Sequence, residues 1–296
     1  EYGKKCDYDK VAESWELSCH KDGPSVVADG EYKGLTLNEY IEKAGKGVLG
    51  KNCERFENFP ILIKLIDAKD NLSVQVHPDN DYAMRVEGEY GKTEMWYVVD
   101  CDEGATLLYG FKHEITKEEF ARRIADNTLL EVTNAVPVKK GDVFFIKSGT
   151  LHAIGKGILI AEIQQNSNTT YRIYDYGRVG KDGKPRELHV NKALDVTKLA
   201  PAEQYPETPV EKKDGYDIKL LSKCEYFTTY RVNVETKAEL DADENSFNSI
   251  LVLEGEPVIS GGETVSAKKG ESVFISAGTG KYTVEGKCTF VLTKID

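Results

Sequence analysis

The sequence predicts a mainly β fold of two β-barrels with a few short helices, on the basis of three observations. Short apolar runs are separated by glycine, aspartate and asparagine turns, which is typical of strands. Apolar residues have helical spacing in only two segments, and one segment, residues 136–152, occurs a second time later in the chain. The 296 residues are 40% hydrophobic, so the chain can bury a sizeable core in one large or two medium domains.

Two segments carry helix signals. Residues 36–47 begin at Thr36, place their apolar residues on one face and end at glycines. In residues 116–127, Thr116 is a predicted N-cap, and Glu119 follows at the spacing of a capping box, in which each residue bonds the backbone of the other. We therefore expect one short helix in each segment.

Most of the remaining chain is predicted to form strands. Residues 197–215 contain three prolines and several charges and are predicted to link or wrap around the domains. The expected strands lie at 59–68, 94–100, 105–111, 142–148, 158–165, 216–221, 225–235, 248–255 and 288–295.

The duplicated segment decides the expected architecture. Residues 136–152 align without gaps to residues 265–281, with eight identities that include both turn glycines, Gly141 and Gly149. A strand held between two turn glycines would then occur once in each of two barrels.

The two copies differ where chemistry is expected. The second copy has Lys281 where the first has His152, and no histidine follows His189. The second barrel therefore lacks the imidazoles of the first, and we expect its role to be structural. The expected domains are 1–200, which holds all candidate site residues and the helical insertions, and 215–296, which holds no metal ligands.

Charge and cysteine content argue against several classes of protein. The formal net charge of −11 argues against nucleic acid or an anionic membrane surface as a general partner. No apolar run is long enough to cross a bilayer as a helix, so no transmembrane helix is predicted. Six cysteines without a C-x-x-C pair predict free thiols in a reducing compartment such as the cytoplasm: Cys6, Cys19, Cys53, Cys101, Cys224 and Cys288.

Polar and apolar residues alternate in the segment NLSVQVHPDNDYA, which starts at residue 71. On a strand, Ser73, Gln75 and His77 would share one face. With Glu94 and His152, this face offers two imidazoles, a carboxylate and an amide oxygen, a mixed set of ligands for a divalent metal. Inward positions of neighbouring strands converge inside a small barrel, so these side chains are expected to meet.

Each of these residues alone also has a plainer interpretation. A histidine on a strand is more often hydrogen-bonded than metal-bound, and glutamine is an uncommon zinc ligand. Glu94 taken alone would fit a solvated charge at the edge of a sheet.

Four segments together resemble the type I phosphomannose isomerases, in particular the short bacterial form. They are SVQVHPDNDYA, GKTEMWYVV, GTLHAI and NSNTTYRIYDYGR, in this order and spacing. Residues 141–152 also resemble the second cupin motif, G-x5-P-x-G-x2-H, with Lys147 at the usual proline. The resemblance extends from about residue 11 to the end. It implies two cupin (jelly-roll) barrels and a zinc-dependent aldose–ketose isomerase. Such an enzyme interconverts mannose 6-phosphate and fructose 6-phosphate through a cis-enediol.

The resemblance also implies roles for individual residues. It implies one Zn²⁺ per chain and a small-molecule sugar phosphate as substrate. We expect no nucleic-acid or membrane partner, and a monomer or weak homodimer. The native metal and the identity of the general base stay open. The implied metal ligands are Gln75, His77, Glu94 and His152; the catalytic candidates are Arg172, Lys64, Lys92 and Glu162; and the substrate-binding candidates are Ser73, Lys92, Arg172 and Glu13.

Plainer roles remain open for the charged candidates. Lys64 would also fit a core strand from which its ammonium extends to solvent. Arg172 would fit a surface ion pair, and Glu162 would fit a buried partner of one of these cations.

Three other functions compete with the isomerase. Two histidines and a glutamate also describe the facial triad of a non-haem iron oxygenase, but Gln75 would occupy a position that oxygen uses. A non-catalytic sugar-binding cupin would need neither the metal ligands nor the lysines. A cupin isomerase of glucose 6-phosphate is expected to have a single barrel.

Overall fold

The computed structural model describes Lys4 and residues 11–180 and 183–296, and this part of the chain is mainly β, as predicted. Its four α-helices are short, and three 3-10 turns lie at Lys46–Leu49, Lys51–Cys53 and Leu129–Glu131. The helices are α1 (Leu37–Ala44), α2 (Asn80–Val86), α3 (Lys117–Ala125) and α4 (Val190–Val196). The strands are β1 (Glu13–Leu17), β2 (Ile61–Ala68), β3 (Val74–Val76), β4 (Glu94–Cys101), β5 (Thr106–Phe111), β6 (Thr133–Pro137), β7 (Val143–Ile146), β8 (His152–Ala153), β9 (Ile158–Gln165), β10 (Tyr171–Tyr174), β11 (Val210–Lys212), β12 (Tyr216–Lys223), β13 (Thr228–Val234), β14 (Lys237–Ala242), β15 (Asn248–Gly255), β16 (Val258–Gly261), β17 (Glu263–Ser266), β18 (Ser272–Ile275), β19 (Gly280–Glu285) and β20 (Cys288–Lys294).

The chain divides into two compact units, and β2 crosses the boundary between them. One unit contains the N-terminal segment up to Leu65 together with Pro206–Asp296, and the other contains Ile66–Tyr205. The expected domains, 1–200 and 215–296, instead grouped this N-terminal segment with the metal-ligand candidates. The observed grouping of the N-terminal segment with the C-terminal strands depends on long-range contacts, which sequence spacing does not reveal.

Hydrogen bonds explain why the N-terminal segment belongs with the C-terminal strands. Tyr40 Oη lies 2.8 Å from Ser276 Oγ, and Asn52 Nδ2 donates to Ile295 O at 2.9 Å. In this unit the sheets have the strand orders β11-β12-β13-β20-β15-β18 and β14-β19-β16-β17. Between them lies an apolar core that includes Val232, Ile250, Val284 and Phe290.

The unit of Ile66–Tyr205 contains the candidate metal ligands. One of its sheets has the order β10-β3-β8-β5-β6, and in the other β4 lies between β9 and β7. Val74 and Val76 of β3 pack in one core cluster with Phe120 of α3. Because successive strand residues point to opposite faces, Gln75 and His77 face away from that cluster. Within the described residues, strand pairing does not close the sheets into continuous barrels.

The internal repeat is confirmed in the geometry of both units. Gly141 and Gly270 have positive φ angles of 90° and 83°. Their amides donate to Val98 O and Val252 O, both at 2.8 Å. Each copy continues into a strand of four residues, β7 or β18, that pairs with the long strand β4 or β15.

The two predicted helices are present with the predicted N-caps, Thr36 and Thr116, but the capping box at α3 is incomplete. At α3, Thr116 accepts the Glu119 amide at 3.1 Å, whereas the Glu119 carboxylate pairs with Arg123 at 2.7 Å. The guanidinium competes for the carboxylate, so the predicted capping box is half formed. The reciprocal pair occurs at α1 instead, between Thr36 and Glu39.

The described cysteines are free thiols, as predicted, and Cys6 lies outside the described residues. The predicted linker, residues 197–215, contains the short strand β11. None of the described helices has the length and apolar character that crossing a membrane requires.

Candidate metal centre and surrounding site

Three neighbouring chain segments bring the four predicted metal ligands together. Gln75 of β3 pairs in register with His152 of β8, His77 follows β3 directly, and Glu94 begins β4. The side chains of His77, Glu94 and His152 are buried, with at most 1% exposure. Candidate ligand atoms of these three residues all lie within 4.8 Å of one another.

The distances describe a compact set of nitrogen and oxygen atoms. The Nε2 atoms of His77 and His152 are 3.1 Å apart. Glu94 Oε1 lies 3.3 Å from His152 Nε2, and Glu94 Oε2 lies 3.6 Å from His77 Nε2. Gln75 Nε2 lies 3.3 Å from His152 Nε2, and flipping the amide end for end would present Oε1 there instead.

Hydrogen bonds at the far side of each imidazole determine the tautomers. His77 Nδ1 lies 3.0 Å from Thr169 O, and His152 Nδ1 lies 2.8 Å from Thr150 O. A carbonyl oxygen only accepts, so each Nδ1 must carry a proton and donate it. In the neutral rings, both Nε2 lone pairs then face each other and the Glu94 carboxylate, which is an arrangement that fits a divalent cation.

Burial keeps His152 in the form that can bind a metal. Burial and, to a smaller extent, the positive charge of Lys92 lower the pKa of His152 to about 4, against the hydrogen bond to Thr150 and the negative charge of Glu162. The ring is therefore neutral near pH 7 and retains the lone pair on Nε2. The donor set, two imidazoles with a carboxylate and an amide, fits zinc or another borderline divalent ion.

Lys92 and Glu162 lie beside the metal-ligand cluster. Lys92 Nζ is 3.3 Å from Glu94 Oε2 and 3.8 Å from Glu162 Oε1. Trp96, which pairs in register with Glu162, donates its indole Nε1–H to Glu162 Oε2 at 2.8 Å. Because Lys92, Glu162 and Trp96 are all buried, this hydrogen bond fixes the carboxylate in a site with little water.

Trp96 was not among the predicted site residues. Its signal in the sequence is the spacing of two residues from Glu94, which places both side chains on one face of β4. The Trp96 ring also packs edge-on against His152, with centroids 5.3 Å apart.

Arg172 and Ser73, two of the substrate-binding candidates, lie in contact. Arg172 of β10 pairs in register with Gln75, and its Nε donates to Ser73 Oγ at 3.3 Å. Its Nη1 donates to Glu187 O at 3.2 Å. Burial lowers the pKa of the Arg172 guanidinium, and the positive charge of Arg186 adds to that shift.

Two further arginines, absent from the predicted set, surround Asp175. Arg186 donates from Nε to Asp175 Oδ2 at 2.7 Å and from Nη2 to Oδ1 at 2.6 Å. Arg178 donates to the same carboxylate from Nε at 3.1 Å and to Asn71 O from Nη1 at 2.7 Å.

Lys64 and Glu13 belong to the unit of the N-terminal and C-terminal segments. Lys64 Nζ lies 3.8 Å from Glu13 Oε2 and 4.8 Å from the centre of the Trp15 ring. The Lys64 side chain is 4% exposed, so its ammonium does not extend into solvent. A buried ammonium on a core strand requires such an anionic and aromatic environment.

Comparisons with known proteins agree with the motifs. Residues 5–104 match the family model for the phosphomannose isomerase type I catalytic domain, and residues 217–295 match that for the mannose-6-phosphate isomerase cupin domain. The mannose-6-phosphate isomerase ManA of Bacillus subtilis is 38% identical over 100% of this chain and 93% of the relative.

Solved structures share the fold. The crystal structure of the mannose 6-phosphate isomerase from Bacillus subtilis is similar with a TM-score of 0.92 and 37% identity, over 99% of this chain and 92% of that one. A zinc-bound mannose 6-phosphate isomerase has the same fold with a TM-score of 0.77 and 16% identity, over 97% of this chain and 91% of that one.

Proposed function

The chain belongs to the type I phosphomannose isomerases, and we propose that it interconverts mannose 6-phosphate and fructose 6-phosphate with one bound Zn²⁺. The observation that carries the metal assignment is the pair of Nε2 atoms at 3.1 Å, each with its Nδ1 held by a backbone carbonyl. His77, Glu94 and His152 would hold the ion, with Gln75 as the fourth ligand. A zinc ion held there would supply a Lewis acid for the oxygens on C1 and C2 of the sugar.

The reaction moves a hydrogen between C2 and C1, so the site needs a group that removes a proton from one carbon and returns one to the other. Lys92 and Glu162 are the proposed pair for this transfer through a cis-enediol. Their Nζ and Oε1 atoms are 3.8 Å apart, and the hydrogen bond from Trp96 keeps Glu162 Oε1 turned towards the lysine. The roles of Lys64 in catalysis and Glu13 in substrate binding are proposed from the family resemblance, with the burial of Lys64 as support.

The phosphate end of the substrate needs a fixed cation. Arg172 is the proposed ligand, because a guanidinium is always positively charged and donates charge-assisted hydrogen bonds to phosphate oxygens. Among the described residues, its own hydrogen bonds engage Nε and Nη1, which leaves Nη2 for a substrate oxygen. Ser73 shares the strand face with Gln75, so its hydroxyl is a proposed contact to the sugar between phosphate and metal.

The test is the conversion of mannose 6-phosphate to fructose 6-phosphate by the purified protein, before chelation, after chelation and after zinc is added back. We expect activity to disappear on chelation and to return with zinc. The variant His77→Ala should stay inactive at the same zinc concentration, whereas His113→Ala, which changes an exposed histidine, should match the wild type.

Two results would contradict the proposal. Full activity after complete removal of bound metal would exclude zinc dependence. A zinc-loaded wild-type protein without turnover would exclude the isomerase, and oxygen consumption by the iron-loaded protein would then test the oxygenase alternative.

A further inference from the structure

The backbone of Arg172 lies in a strand at the edge of its sheet. β10 is the first strand in the order β10-β3-β8-β5-β6, so no further strand of the described residues bonds the outward backbone groups of β10. Such groups need another partner, because an unbonded backbone N–H or C=O in a partly buried place destabilises the fold. At Arg172, the partner is a single residue, His189.

His189 satisfies both outward backbone groups of Arg172. The Arg172 amide donates to His189 Nδ1 at 3.2 Å, and the His189 amide donates to Arg172 O at 2.8 Å. Two residues earlier, Glu187 O accepts a hydrogen bond from Arg172 Nη1 at 3.2 Å. The segment 187–189 therefore holds the backbone and the guanidinium of Arg172 by three hydrogen bonds.

The position of His189 is itself fixed by the fold. His189 precedes α4, and its carbonyl accepts the Ala193 amide at 2.9 Å in the first turn of that helix. Its ring lies against Tyr171, with centroids 6.1 Å apart. A rigid imidazole is thus anchored on a helix and bonded to the strand that carries Arg172.

We propose that His189 is a positioning residue that sets the register and direction of Arg172 towards the substrate phosphate. This inference rests on the function proposed above for Arg172. The imidazole acts through the hydrogen bond that Nδ1 accepts, which fixes the Arg172 backbone while Glu187 and Ser73 direct the side chain. His189 makes no contact with the reacting atoms in this role.

The geometry predicts which replacements can take over this role. An asparagine side chain carries Oδ1 at the same number of bonds from the backbone as Nδ1 of histidine, so His189→Asn retains the acceptor. His189→Gln moves the acceptor one bond further out, and His189→Ala removes it. The Asn and Gln variants are matched in polarity and differ by one methylene group.

The experiment measures kcat and KM for mannose 6-phosphate with the zinc-reconstituted full chain. We expect His189→Ala and His189→Gln to lower kcat/KM about fivefold to tenfold, the effect of one hydrogen bond, and His189→Asn to stay within about twofold of wild type. In an Arg172→Ala background, His189→Ala should cause no further loss, because its effect passes through the guanidinium.

Thermal unfolding of each variant shows whether the compared proteins are folded. If His189→Ala does not fold, the comparison of kcat/KM between His189→Asn and His189→Gln tests the inference. Equal kcat/KM for Asn and Gln, or a loss from His189→Ala that persists in the Arg172→Ala background, would overturn the inference and leave His189 a merely structural residue. An inactive wild type would instead overturn the proposed function, and this inference with it.

Discussion

At the scale of residues, the chemistry depends on which atom of each side chain is already engaged. The Nδ1 atoms of His77 and His152 donate to carbonyls, which leaves their Nε2 atoms to face Glu94. The same reasoning applies to Glu162, where the bond from Trp96 to Oε2 leaves Oε1 towards Lys92. Hydrogen bonds on the far side of each side chain thus select the atoms that face the candidate site.

The variant Trp96→Phe tests whether the hydrogen bond from Trp96 fixes the Glu162 carboxylate. The variant keeps an aromatic ring beside His152 but removes the N–H that fixes the carboxylate. A lost hydrogen bond to a charged acceptor should lower the free energy of unfolding by about 1.5–3 kcal/mol and should lower kcat. Urea unfolding and turnover at full zinc occupancy measure the two effects. A wild-type kcat in the zinc-loaded variant would show that Glu162 does not need this bond.

Asp175→Asn tests the carboxylate that holds two arginines. Burial raises the pKa of Asp175, but hydrogen bonds from Arg186 and Arg178 outweigh it and hold the pKa below its usual value. A carboxyl with a depressed pKa in the folded state stabilises the protein above its unfolded pKa, about 3.9, and loses this contribution as pH falls through the folded pKa. The variant should therefore be less stable than wild type at pH 7, with the difference shrinking at lower pH. Unfolding curves across this range measure it, and a difference independent of pH would contradict the assignment.

At the scale of elements, the alternation of polar and apolar residues along β3 was the sequence pattern that told most about the candidate site. It placed Ser73, Gln75 and His77 on one face, and the packing of Val74 and Val76 against Phe120 explains why that face is available for ligands. Helices α2 and α4 were not predicted, because seven residues carry too little periodicity to be recognised.

The caps of α1 and α3 give a prediction at this scale. At α1, Thr36 and Glu39 each bond the backbone amide of the other, whereas at α3 Glu119 does not bond the Thr116 amide because Arg123 engages its carboxylate. Thr36→Ala should lower the free energy of unfolding by about 1 kcal/mol or more, and Thr116→Ala by less. Urea denaturation measures both, with Thr36→Ser as a control that retains the cap. The reverse order would show that the reciprocal bond adds no stability.

At the scale of the whole molecule, the duplicated architecture carries the candidate metal ligands once. The register that pairs Glu94 with Ile146 pairs Asn248 with Ile275 in the second copy. Asn248 donates to Asp241 O and Tyr282 Oη, both at 2.9 Å, so a neutral hydrogen-bonding amide takes the place of the candidate ligand Glu94. With Lys281 in place of His152, the second copy keeps the fold without the ligand set.

Metal binding should be visible in the stability of the full chain. A ligand that binds only the native state raises the free energy of unfolding by about 2.7 kcal/mol at 100 times its Kd. We expect zinc to raise Tm after chelation in wild type, and Glu94→Gln to remove most of that shift. Glu103→Gln, at an exposed position, is the matched control. Equal zinc-induced shifts in wild type and Glu94→Gln would exclude Glu94 as a ligand.

The sequence by itself determined the mainly β class, the duplication and the set of residues expected to hold a metal. Alternation, turn glycines and ligand chemistry are local properties, and each is written in a few consecutive residues. Only the tertiary structure decided that the N-terminal segment up to Leu65 groups with the C-terminal strands, that Trp96 fixes Glu162, and that His189 holds Arg172. These contacts join residues far apart in the chain, or depend on which of two atoms in a side chain is already bonded, and neither property has a signal in sequence spacing.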